Sequence, residues 1–565
     1  MPRPVPHEQL TAFPKLPPFF VQLLYNRGIT SAASWELFAA ADERLQHDPL
    51  LLPDIEKALE RIETALGRGE RIAVYGDFDA DGVTATVLLT QGLAVLGANV
   101  CPYIPHRIGE GYGLNKAALS GLRAQGIELV ITADCGINAH DEVEHARSLG
   151  LDVIITDHHS LTGPVPAAAA VVCSGHSGRL YPHTGLAGVG MAYKLLEAMA
   201  QAFPGRGLAP ESYLDLVALG TIADVAPLQG ENRFLVKRGL QLLKRPQRPG
   251  LCQMMDLAGL RSGQVDAEAV SFVLAPRINA AGRLDHAMLS YGLLATDSQD
   301  EARIMAERLE ALNVRRQRLT AEVLARAREE LARTGAAWPI LVLADEAYDP
   351  GVAGLVASKL VEEYGRPAVV IERGSDVSRG SARSIPEFNM VEALSRRPEL
   401  FIRFGGHHLA AGFTIPTGNL EVLRVHLLGA AEAHLSGLEL EPSLDIDAEI
   451  GVSALRGETF RLLAMLSPYG EGNRAPIFLT RGLAVIESRA TTGNGEHLRL
   501  KVRGDGVTWP AIGFRLGHLA PRVGRRVDAV YSITTDRFSG NSLLQLNLLD
   551  IAPHGEHLPL PRKAP

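Results

Sequence analysis

The sequence has few cysteines, no long apolar run and no apolar leader. The four cysteines, Cys101, Cys135, Cys173 and Cys252, are scattered and form no Cys-x-x-Cys pair. Neither a disulfide framework nor a thiolate zinc site is therefore expected. No apolar run approaches the roughly 20 residues that span a bilayer, and "MPRPVPHEQL" has no apolar signal-peptide core. We expect a cytoplasmic protein.

Aromatic residues are also scarce, and negative charge exceeds positive charge. Aromatic residues make up 5% of the chain, and the formal net charge is −8. A chain of this charge has no overall attraction for nucleic acid, so any polyanion must be held locally by arginines or metal ions. In other respects the composition is that of an ordinary globular protein. At 565 residues the chain is too long for one core, so two to four domains are expected.

Short strand-like runs alternate with helical runs from Arg71 onward. The strand candidates are "RIAVYG", "NVCPYI", "ELVITA" and "LDVIIT", separated by helical patterns such as "LNKAALSGLRAQG". This alternation predicts an α/β fold with a mostly parallel sheet covered by helices. Further along, "PILVLA" and "RPAVVI" predict a second α/β domain, and "GLAVIES", "HLRLKV" and "LLQLNLLDI" predict a small β-barrel.

Five segments follow from these patterns. We expect a helical N-terminal segment at 1–70, an α/β domain at 71–296, a connecting helix at 297–335, a second α/β domain at 336–435 and a small barrel at 440–555. The connecting helix is charged on most faces, which is typical of a helix that joins two domains.

Acidic and histidine side chains follow the predicted strands and helices of the first α/β domain. They are Asp77, Asp79, Asp81, Asp134, Asp157, His158, His159 and Asp224. Because ligand sites in open parallel sheets form outside the carboxyl ends of the strands, these side chains are expected to converge. A single aspartate after a strand is usually a helix cap or a turn residue, but that explanation does not extend to four such positions in one domain.

The ligand types indicate a metal site. Asp77, Asp79 and Asp81 would repel one another and raise one another's pKa, so a positive group is expected among them. Carboxylates and imidazoles without thiolates suit Mn²⁺ or Mg²⁺ better than structural zinc. A carboxylate that bridges two such ions is typical of phosphoester hydrolysis. The first α/β domain is therefore expected to carry a two-ion site.

The same motifs resemble a known family. "DFDADG", "ADCG" and "TDHH" are similar to the successive motifs of the DHH phosphoesterase superfamily. "APRINAAGRL", "GSARSI" and "FGGHHLAAG" resemble the bacterial exonucleases of that superfamily that are specific for single strands, and the resemblance runs from about Arg71 to Ala552. Two places depart from the family pattern: Tyr348 and Asp349 stand where Trp-His is usual, and "VVCSGHSG" at 171–178 replaces an Asn-Pro-Asn loop.

The resemblance implies a fold for the predicted segments. A DHH catalytic domain at 71–296 would be joined by the long helix to a DHHA1 substrate-binding domain at 336–435, and an oligonucleotide-binding (OB-like) barrel would follow at 440–555. The DHHA1 domain would close over the DHH domain and form a groove. A narrow groove would exclude a duplex and admit a single strand.

For the metal centre, the resemblance implies two Mn²⁺ or Mg²⁺ ions held by Asp79, Asp81, Asp134, His158 and Asp224, with Asp134 as the bridge. Asp77 is expected as a ligand, as a contact through water or in the outer shell. His159 would be free to face the scissile phosphate. Arg277, oriented by Asn279, is the family-matched group for the developing oxyanion, and the alternative for Arg277 is a surface ion pair.

For the substrate, the resemblance implies six residues: Arg107, Tyr112, Ser381, Arg383, Gly406 and His407. The two arginines and the serine would hold a terminal 5′-phosphate, because guanidinium forks and a hydroxyl suit phosphate. The histidine would contact the strand, and the glycine would let the backbone approach a phosphate. The tyrosine is open between stacking on a base and simple packing. In the barrel, Arg474, Arg499 and Arg503 are candidates for backbone contacts.

The implied function is a 5′-to-3′ exonuclease that acts on single-stranded DNA and releases 5′-mononucleotides in recombinational and mismatch repair. The implied partners are a single-strand-binding protein and a helicase, and the chain is expected to be a monomer. Two alternatives stay open: a phosphodiesterase of short oligonucleotides or cyclic dinucleotides, and a non-catalytic DHH scaffold. The barrel argues against the first, and the complete ligand set argues against the second.

Overall fold

The chain forms two compact units. The computed structural model describes residues 3–175, 181–261, 263–334, 338–438, 440, 443–491, 495–535 and 544–555. The barrel unit consists of Met1–Asp48, Val225–Arg238 and Leu444–Pro565, and the α/β unit consists of Pro49–Asp224 and Gly239–Ser443. Within the described residues, no helix is both long enough and apolar enough to cross a membrane.

Most of the described elements are helices. In chain order they are α1 His7–Ala12, α2 Pro18–Asn26, α3 Ala32–Ala40, α4 Ile55–Arg68, α5 Ala80–Val95, α6 Lys116–Ala124, α7 His140–Ser148, α8 Gly188–Ala202, α9 Leu214–Ala223, α10 Gly230–Leu243, α11 Pro249–Leu257, α12 Ala267–Ala269, α13 Ala275–Leu284, α14 Met288–Ala295, α15 Gln299–Thr334, α16 Pro350–Tyr364, α17 Met390–Ser395, α18 Leu420–Leu435 and α19 Gly457–Leu466. A π-helical turn, Val270–Leu274, joins α12 to α13.

The strands form three sheets. In chain order they are β1 Arg71–Gly76, β2 Asn99–Tyr103, β3 Ile127–Ala133, β4 Asp152–Thr156, β5 Ala170–Val172, β6 Leu341–Asp345, β7 Ala368–Glu372, β8 Val377–Arg383, β9 Arg403–His407, β10 Ala410–Pro416, β11 Ala448–Glu449, β12 Phe478–Ala490, β13 Leu498–Gly504, β14 Val507–Gly513, β15 Arg526–Thr535 and β16 Leu544–Pro553.

The first sheet of the α/β unit is parallel throughout, in the order β2-β1-β3-β4-β5. Its strands are apolar runs because helices pack on the sheet, and β1 is buried from its second residue onward. Helix α5 is apolar on almost every side and is buried along most of its length, where it packs on α8 and α9. The predicted parallel sheet is confirmed, although the sequence patterns did not indicate β5.

The second sheet of the α/β unit has the order β6-β7-β8-β10-β9 and is parallel only between β6 and β7. The long helix α15 leads into it, as predicted. This helix also contributes to a core: Val323, Ala327 and Leu331 are buried together with Val352 and Val356 of α16. The long helix is therefore fixed to the second α/β domain by apolar packing, although most of its surface is charged.

The barrel unit contains a closed five-stranded barrel. Strand β12 pairs with both β13 and β15, which closes the order β12-β13-β14-β16-β15. Buried and exposed positions alternate along β13, so Leu498, Leu500 and Val502 face the core while Arg499 and Lys501 face outward. The predicted OB-like barrel is confirmed.

The N-terminal helices share the core of the barrel, which the sequence patterns did not reveal. Phe20, Leu23 and Leu24 of α2 are fully buried in the same apolar cluster as Phe478 and Leu483 of β12. The part of the predicted helical segment that ends at Asp48 thus has a structural role in the barrel unit, whereas α4 belongs to the α/β unit. The five-segment division of the sequence itself stays a prediction.

Arg233 of α10 joins the separate stretches of the barrel unit. Its guanidinium donates to the carbonyl oxygens of Phe38, Leu466 and Ser467 at 2.9, 3.1 and 2.8 Å, and its central carbon lies 3.7 Å from the centre of the Phe38 ring. Burial lowers the pKa of Arg233 to about 10, so the side chain stays charged at neutral pH. Its carbonyl partners compensate for the burial of that charge.

Candidate metal centre and phosphate pocket

Asp77, Asp79 and Asp81 lie in the tight connection from β1 to α5. Asp79 is the N-cap of α5, and one of its carboxylate oxygens accepts from the backbone N–H groups of Asp81 and Gly82 at 3.0 and 3.1 Å. Asp77 and Asp81 are buried, and burial together with neighbouring aspartates raises the pKa of both carboxyls well above the ordinary value. Helix capping therefore explains Asp79 but not the other two carboxylates.

The N-terminus of α8 contacts two aspartates, Asp81 and Asp134. The backbone N–H groups of Gly188 and Val189 donate to the two carboxylate oxygens of Asp81 at 2.7 and 2.9 Å. Gly188 also lies against Asp134, which follows β3 in the left-handed conformation with a φ of 66°. A Cβ at position 188 would lie 2.5 Å from the Asp134 Cβ. The close approach of these two loops therefore requires glycine at 188.

Asp157 orients the histidines that follow it. One of its oxygens accepts from the backbone N–H groups of His158 and His159 at 2.7 and 3.1 Å and lies 2.7 Å from His159 Nδ1. The other oxygen accepts from the Ile137 N–H at 2.9 Å. Burial alone would raise the pKa of Asp157, but these hydrogen bonds bring it below the ordinary value. Asp157 is therefore an ionised carboxylate, and in this form it holds the His159 ring.

His158 lies between Asp134 and Asp224. Its Nε2 is 3.1 Å from Asp134 Oδ1, and its Nδ1 is 4.0 Å from Asp224 Oδ2. Burial, and then the charge of His159, lowers the pKa of His158 to about 4, so its ring is neutral at pH 7, the form that binds metal. Burial and the charge of Asp79 raise the pKa of Asp224 to about 7.

The candidate ligand atoms form groups in which all atoms lie within 4.8 Å of one another. These groups are Asp77 with Asp79 and Asp134, Asp81 with His158 and Asp224, and Asp134 with His158 and His159. At their centre, the buried Oδ1 of Asp77 has no hydrogen-bond partner among the described residues, and the buried Oδ1 of Asp134 and Nε2 of His158 lie 3.1 Å apart without forming an aligned hydrogen bond. Divalent cations would neutralise this crowding of carboxylates, so the residues present fit two ions.

Three partly buried arginines form a cluster, and two of them, Arg107 and Arg283, lie near enough to Asp79 for its charge to act on them. Burial, and then neighbouring guanidinium charges, lowers the pKa of Arg283 to about 9 and lowers that of Arg383. Arg107 lies over the Phe78 ring with its central carbon 4.7 Å from the ring centre, and burial lowers its pKa despite the nearby Asp77. Because like charges are packed here away from water, the cluster favours a bound anion.

A cavity of about 940 Å³ lies between the two parts of the α/β unit. Its lining includes the predicted residues Arg107, Tyr112, His159, Ser381, Gly406 and His407. The rings of His159 and His407 stack across it, with centroids 6.1 Å apart and planes 11° apart. The Tyr112 hydroxyl lies 3.2 Å from His159 Nδ1, and a Cβ at Gly406 would lie 2.3 Å from the Ala410 carbonyl oxygen. Both parts of the unit therefore contribute to one site.

The two α13 residues predicted for catalysis occupy different positions. The Oδ1 of Asn279 accepts from the Ala80 N–H at 2.7 Å, so Asn279 holds the loop that carries the aspartates. Arg277 forms an ion pair with Glu310 of α15 at 2.6 Å and donates to the Val273 carbonyl at 2.8 Å. The structure thus places Arg277 in an ion pair, the alternative that the sequence left open.

Some residues of the site were not identified from the sequence. Arg283, six residues after Arg277 in "PRINAAGR", lies near enough for the charge of Asp79 to act on it. Gly188 in "GLAGVG" and the orienting role of Asp157 were also missed. These roles depend on contacts between loops that are distant in sequence. The motifs "PRINAAGR" and "GLAGVG" were the signals that could have suggested Arg283 and Gly188.

The family departures have local explanations. Tyr348 is buried, and its hydroxyl donates to Glu330 at 3.3 Å. Asp349 caps α16 by accepting from the Gly351 N–H at 2.8 Å. Of the divergent loop, β5 and the residues to 175 are described, while 176–178 lie outside the described residues. Neither departure replaces a candidate metal ligand.

Comparison with protein families assigns three stretches of the chain. Residues 71–221 match the N-terminal domain of the DHH family, 338–431 match the DHHA1 domain and 446–550 match the RecJ OB domain. The single-stranded-DNA-specific exonuclease RecJ of Bacillus subtilis is 36% identical over 549 residues, covering 96% of this chain and 69% of the relative. Its counterpart in Salmonella typhimurium is 34% identical, covering 95% of this chain and 96% of the relative.

A solved structure agrees with these matches. The crystal structure of RecJ in complex with Mn²⁺ from Thermus thermophilus superposes with a TM-score of 0.81 at 32% identity, covering 97% of this chain and 78% of that one. RecJ from the same organism has also been solved with Mg²⁺. These complexes and the ligand groups described above confirm the predicted type of cofactor. The chain therefore belongs to the RecJ family within the DHH superfamily.

Proposed function

We propose that the chain is a single-stranded-DNA-specific exonuclease that removes 5′-mononucleotides from a 5′ end. One observation carries this proposal. The α/β unit contains two adjacent groups of candidate metal ligands, a separate arginine cluster and a cavity. The first feature suits hydrolysis of a phosphodiester, and the second suits recognition of a strand end. RecJ relatives named as single-stranded-DNA-specific exonucleases share both regions of the chain.

The ligand groups support a site for two ions. Asp77, Asp79 and Asp134 would hold one ion, and Asp81, His158 and Asp224 would hold the other, with Asp134 as the bridge. When bound, the two ions supply a water molecule of lowered pKa and neutralise phosphoryl oxygens. The chain itself aligns the ligands: Asp157 fixes the histidines, and the first turn of α8 holds Asp81. Asp77 is thereby proposed as a direct ligand.

His159 would face the scissile phosphate. Its Nδ1 is held by Asp157, and its ring lies opposite that of His407 in the cavity. Burial opposes the charged ring, but the bond to Asp157 raises the pKa of His159 above its ordinary value. A protonated imidazole at this place would stabilise charge on the phosphoryl group.

The arginine cluster would set the polarity of degradation. Arg107, Arg283 and Arg383, with Ser381 at the cavity wall, would hold a terminal 5′-phosphate by charge-assisted hydrogen bonds. A strand held by its end in this pocket presents the phosphodiester next to the aspartates. Internal positions of a chain lack the terminal dianion, so the pocket favours ends.

The barrel would bind the strand independently through its outer face. Arg489 of β12 and Arg499 of β13 are exposed and stand directly opposite each other. Like charges in directly opposed positions destabilise a sheet unless an anion lies between them. Phosphates of single-stranded DNA are such anions, and basic grooves on OB folds follow the strand in this way.

The biological setting follows from this activity. We propose a cytoplasmic, monomeric enzyme of recombinational and mismatch repair, supplied with single strands by a helicase and working beside a single-strand-binding protein. A phosphodiesterase of short oligonucleotides or cyclic dinucleotides would leave the barrel without a function. A non-catalytic scaffold would not need the unpartnered, buried ligand atoms.

One assay tests the function and both alternatives. The protein is incubated with Mn²⁺ and a long single strand, the matched duplex or a dinucleotide, with each long strand labelled at either end. We expect immediate release of a 5′-labelled mononucleotide, progressive shortening of the 3′-labelled strand and little attack on the duplex. Asp134→Ala should abolish cleavage while preserving the fold and most DNA binding. Cleavage of the dinucleotide alone would contradict the exonuclease, and so would near-normal turnover by a folded Asp134→Ala variant.

A further inference from the structure

The loop between β2 and α6 carries two of the residues predicted to bind substrate, Arg107 and Tyr112. It runs through residues 104–115 without helix or strand and contains three glycines. Arg107 lines the cavity and lies over the Phe78 ring. Glycines allow a loop many backbone conformations, so specific contacts are needed to keep the arginine in one place.

The backbone of His106 supplies the first of these contacts. Its carbonyl oxygen accepts from the backbone N–H groups of Glu110 and Gly111 at 2.8 and 3.2 Å. Its own N–H donates to the Glu110 carboxylate at 2.7 Å. The stretch that contains Arg107 is therefore closed into a turn between His106 and Glu110.

The ring of His106 holds the same turn from inside. Its Nδ1 accepts from the backbone N–H groups of Ile108 and Gly109 at 3.2 and 3.1 Å. This is the arrangement that an Asn or Asp side chain forms in an Asx-turn. Because both partners are donors, Nδ1 carries no proton, and the neutral ring has its proton on Nε2. A protonated imidazole donates at both nitrogens, so it could not hold Ile108 and Gly109 in this way.

Glu110 holds the turn as an ionised carboxylate. Burial alone would raise the pKa of Glu110, but the hydrogen bonds from the His106 N–H and from the Tyr103 hydroxyl, at 2.5 Å, bring it below the ordinary value. The ring of His286 faces that of His106, with centroids 5.7 Å apart, and its charge also acts on Glu110. Together with Arg107, these groups are the titratable neighbours that the described contacts place around His106.

We propose that His106 is a positioning residue for the phosphate pocket: its neutral ring holds the turn that fixes Arg107, and protonation of the ring releases that turn. This inference rests on the proposed function, because it uses the assignment of Arg107 to a terminal 5′-phosphate. The candidate metal ligands follow β1, β3, β4 and α9 rather than this loop. His106 therefore affects recognition of the 5′-phosphate, and this recognition weakens as the pH falls.

Substitutions at His106 in the full-length protein test this role. Binding of 5′-phosphorylated and 5′-hydroxyl oligonucleotides of one sequence is measured by fluorescence anisotropy in EDTA, and the ratio of the two affinities gives the preference for phosphate. His106→Ala should lower this preference by about tenfold, because the turn loses two hydrogen bonds, and should bind 5′-hydroxyl strands nearly as the wild type does. His106→Asn should keep the preference, because the Asn side-chain oxygen can accept from the same two N–H groups.

His434→Asn is the matched control. His434 is exposed on α18, and its Nδ1 donates to the Ala430 carbonyl oxygen at 2.9 Å, so it has no acceptor role for protonation to remove. This variant should show the wild-type preference at every pH. Circular dichroism checks the fold of each variant.

A pH series separates positioning by the ring from a general effect on structure. The preference for phosphate is measured from about pH 8 down to about pH 5.5, the range in which imidazoles titrate. The terminal phosphate also titrates near pH 6, but it does so equally for every protein, so the comparison of wild type with His106→Asn isolates the ring. The wild-type preference should fall below that of His106→Asn by up to about tenfold at the acid end.

Several results would overturn the role of His106. They are a wild-type preference in folded His106→Ala, an equal loss on both kinds of strand end, a loss of preference in His106→Asn at pH 8, or identical pH curves for wild type and His106→Asn. The pH comparison does not need the alanine variant, so it decides the question even if His106→Ala fails to fold. A wild-type protein without any preference for 5′-phosphate would instead overturn the proposed phosphate pocket, and the role of His106 with it.

Discussion

Replacing Gly188 by alanine tests whether α8 sets the geometry of the metal centre. The new Cβ would lie 2.5 Å from both the Cβ and Oδ1 of Asp134, whereas ordinary contacts begin near 3.4 Å. The two loops must therefore separate by about 1 Å, and the Gly188 N–H would move away from Asp81 with them. A misplacement of this size at a reacting centre costs about 100-fold in rate.

The measurements separate this effect from unfolding. We expect the Gly188→Ala variant to cleave a 5′-phosphorylated single strand about 100-fold more slowly, and to bind Mn²⁺ about 10- to 100-fold more weakly by calorimetry. Thermal unfolding should show a loss of about 1–3 kcal/mol from overpacking. Gly190→Ala, on the same helix but with its nearest atom at 3.2 Å on a Leu186 methyl group, should stay close to wild type. Wild-type turnover and Mn²⁺ affinity in Gly188→Ala would refute the reasoning.

Three further predictions address the phosphate pocket, the barrel and the barrel unit's core. Arg383→Ala should remove about 1.5–3 kcal/mol of binding free energy for 5′-phosphorylated ends, which is one to two decades in affinity, with little effect on 5′-hydroxyl ends. Equal losses of affinity for both kinds of end would contradict the assignment of Arg383 to a phosphate pocket. Changing Arg489 and Arg499 together to glutamine should reduce the slope of log affinity against log salt concentration by about 0.7 per lost contact. An unchanged slope would exclude these two arginines as contacts to DNA phosphates. Arg233→Ala should lower the free energy of unfolding in urea by about 3–5 kcal/mol, because it leaves buried carbonyl oxygens without a donor. The control Arg238→Ala, at an exposed arginine, should lower it by less than about 1 kcal/mol. Similar losses in both variants would contradict this role of Arg233.

The sheet and the cluster of candidate metal ligands could be predicted because they depend on local patterns. An apolar run followed by an aspartate marks both a strand and its carboxyl end, and parallel strands bring those ends to one edge. Asp77, Asp134 and His158 could therefore be grouped without knowing any contact between them. The structure places them together as expected.

The role of each arginine could not be read in the same way. Arg277 and Arg283 lie in one motif, and nothing in their spacing shows which one is near the aspartates. The structure pairs Arg277 with Glu310, 33 residues away in sequence, and leaves Arg283 in the arginine cluster with Arg107 and Arg383. Ion pairs between distant helices depend on packing, which a single sequence does not display.

Short runs of residues were enough to predict the order of the domains, the candidate metal ligands and the family. The neighbours of those runs became visible only in the folded chain. The structure showed that the N-terminal helices share the core of a barrel more than 400 residues away, and that Gly188 must lack a side chain because Asp134 lies against it. Strands and motifs are specified by neighbouring residues, whereas close approach and burial are specified by segments that meet only after folding.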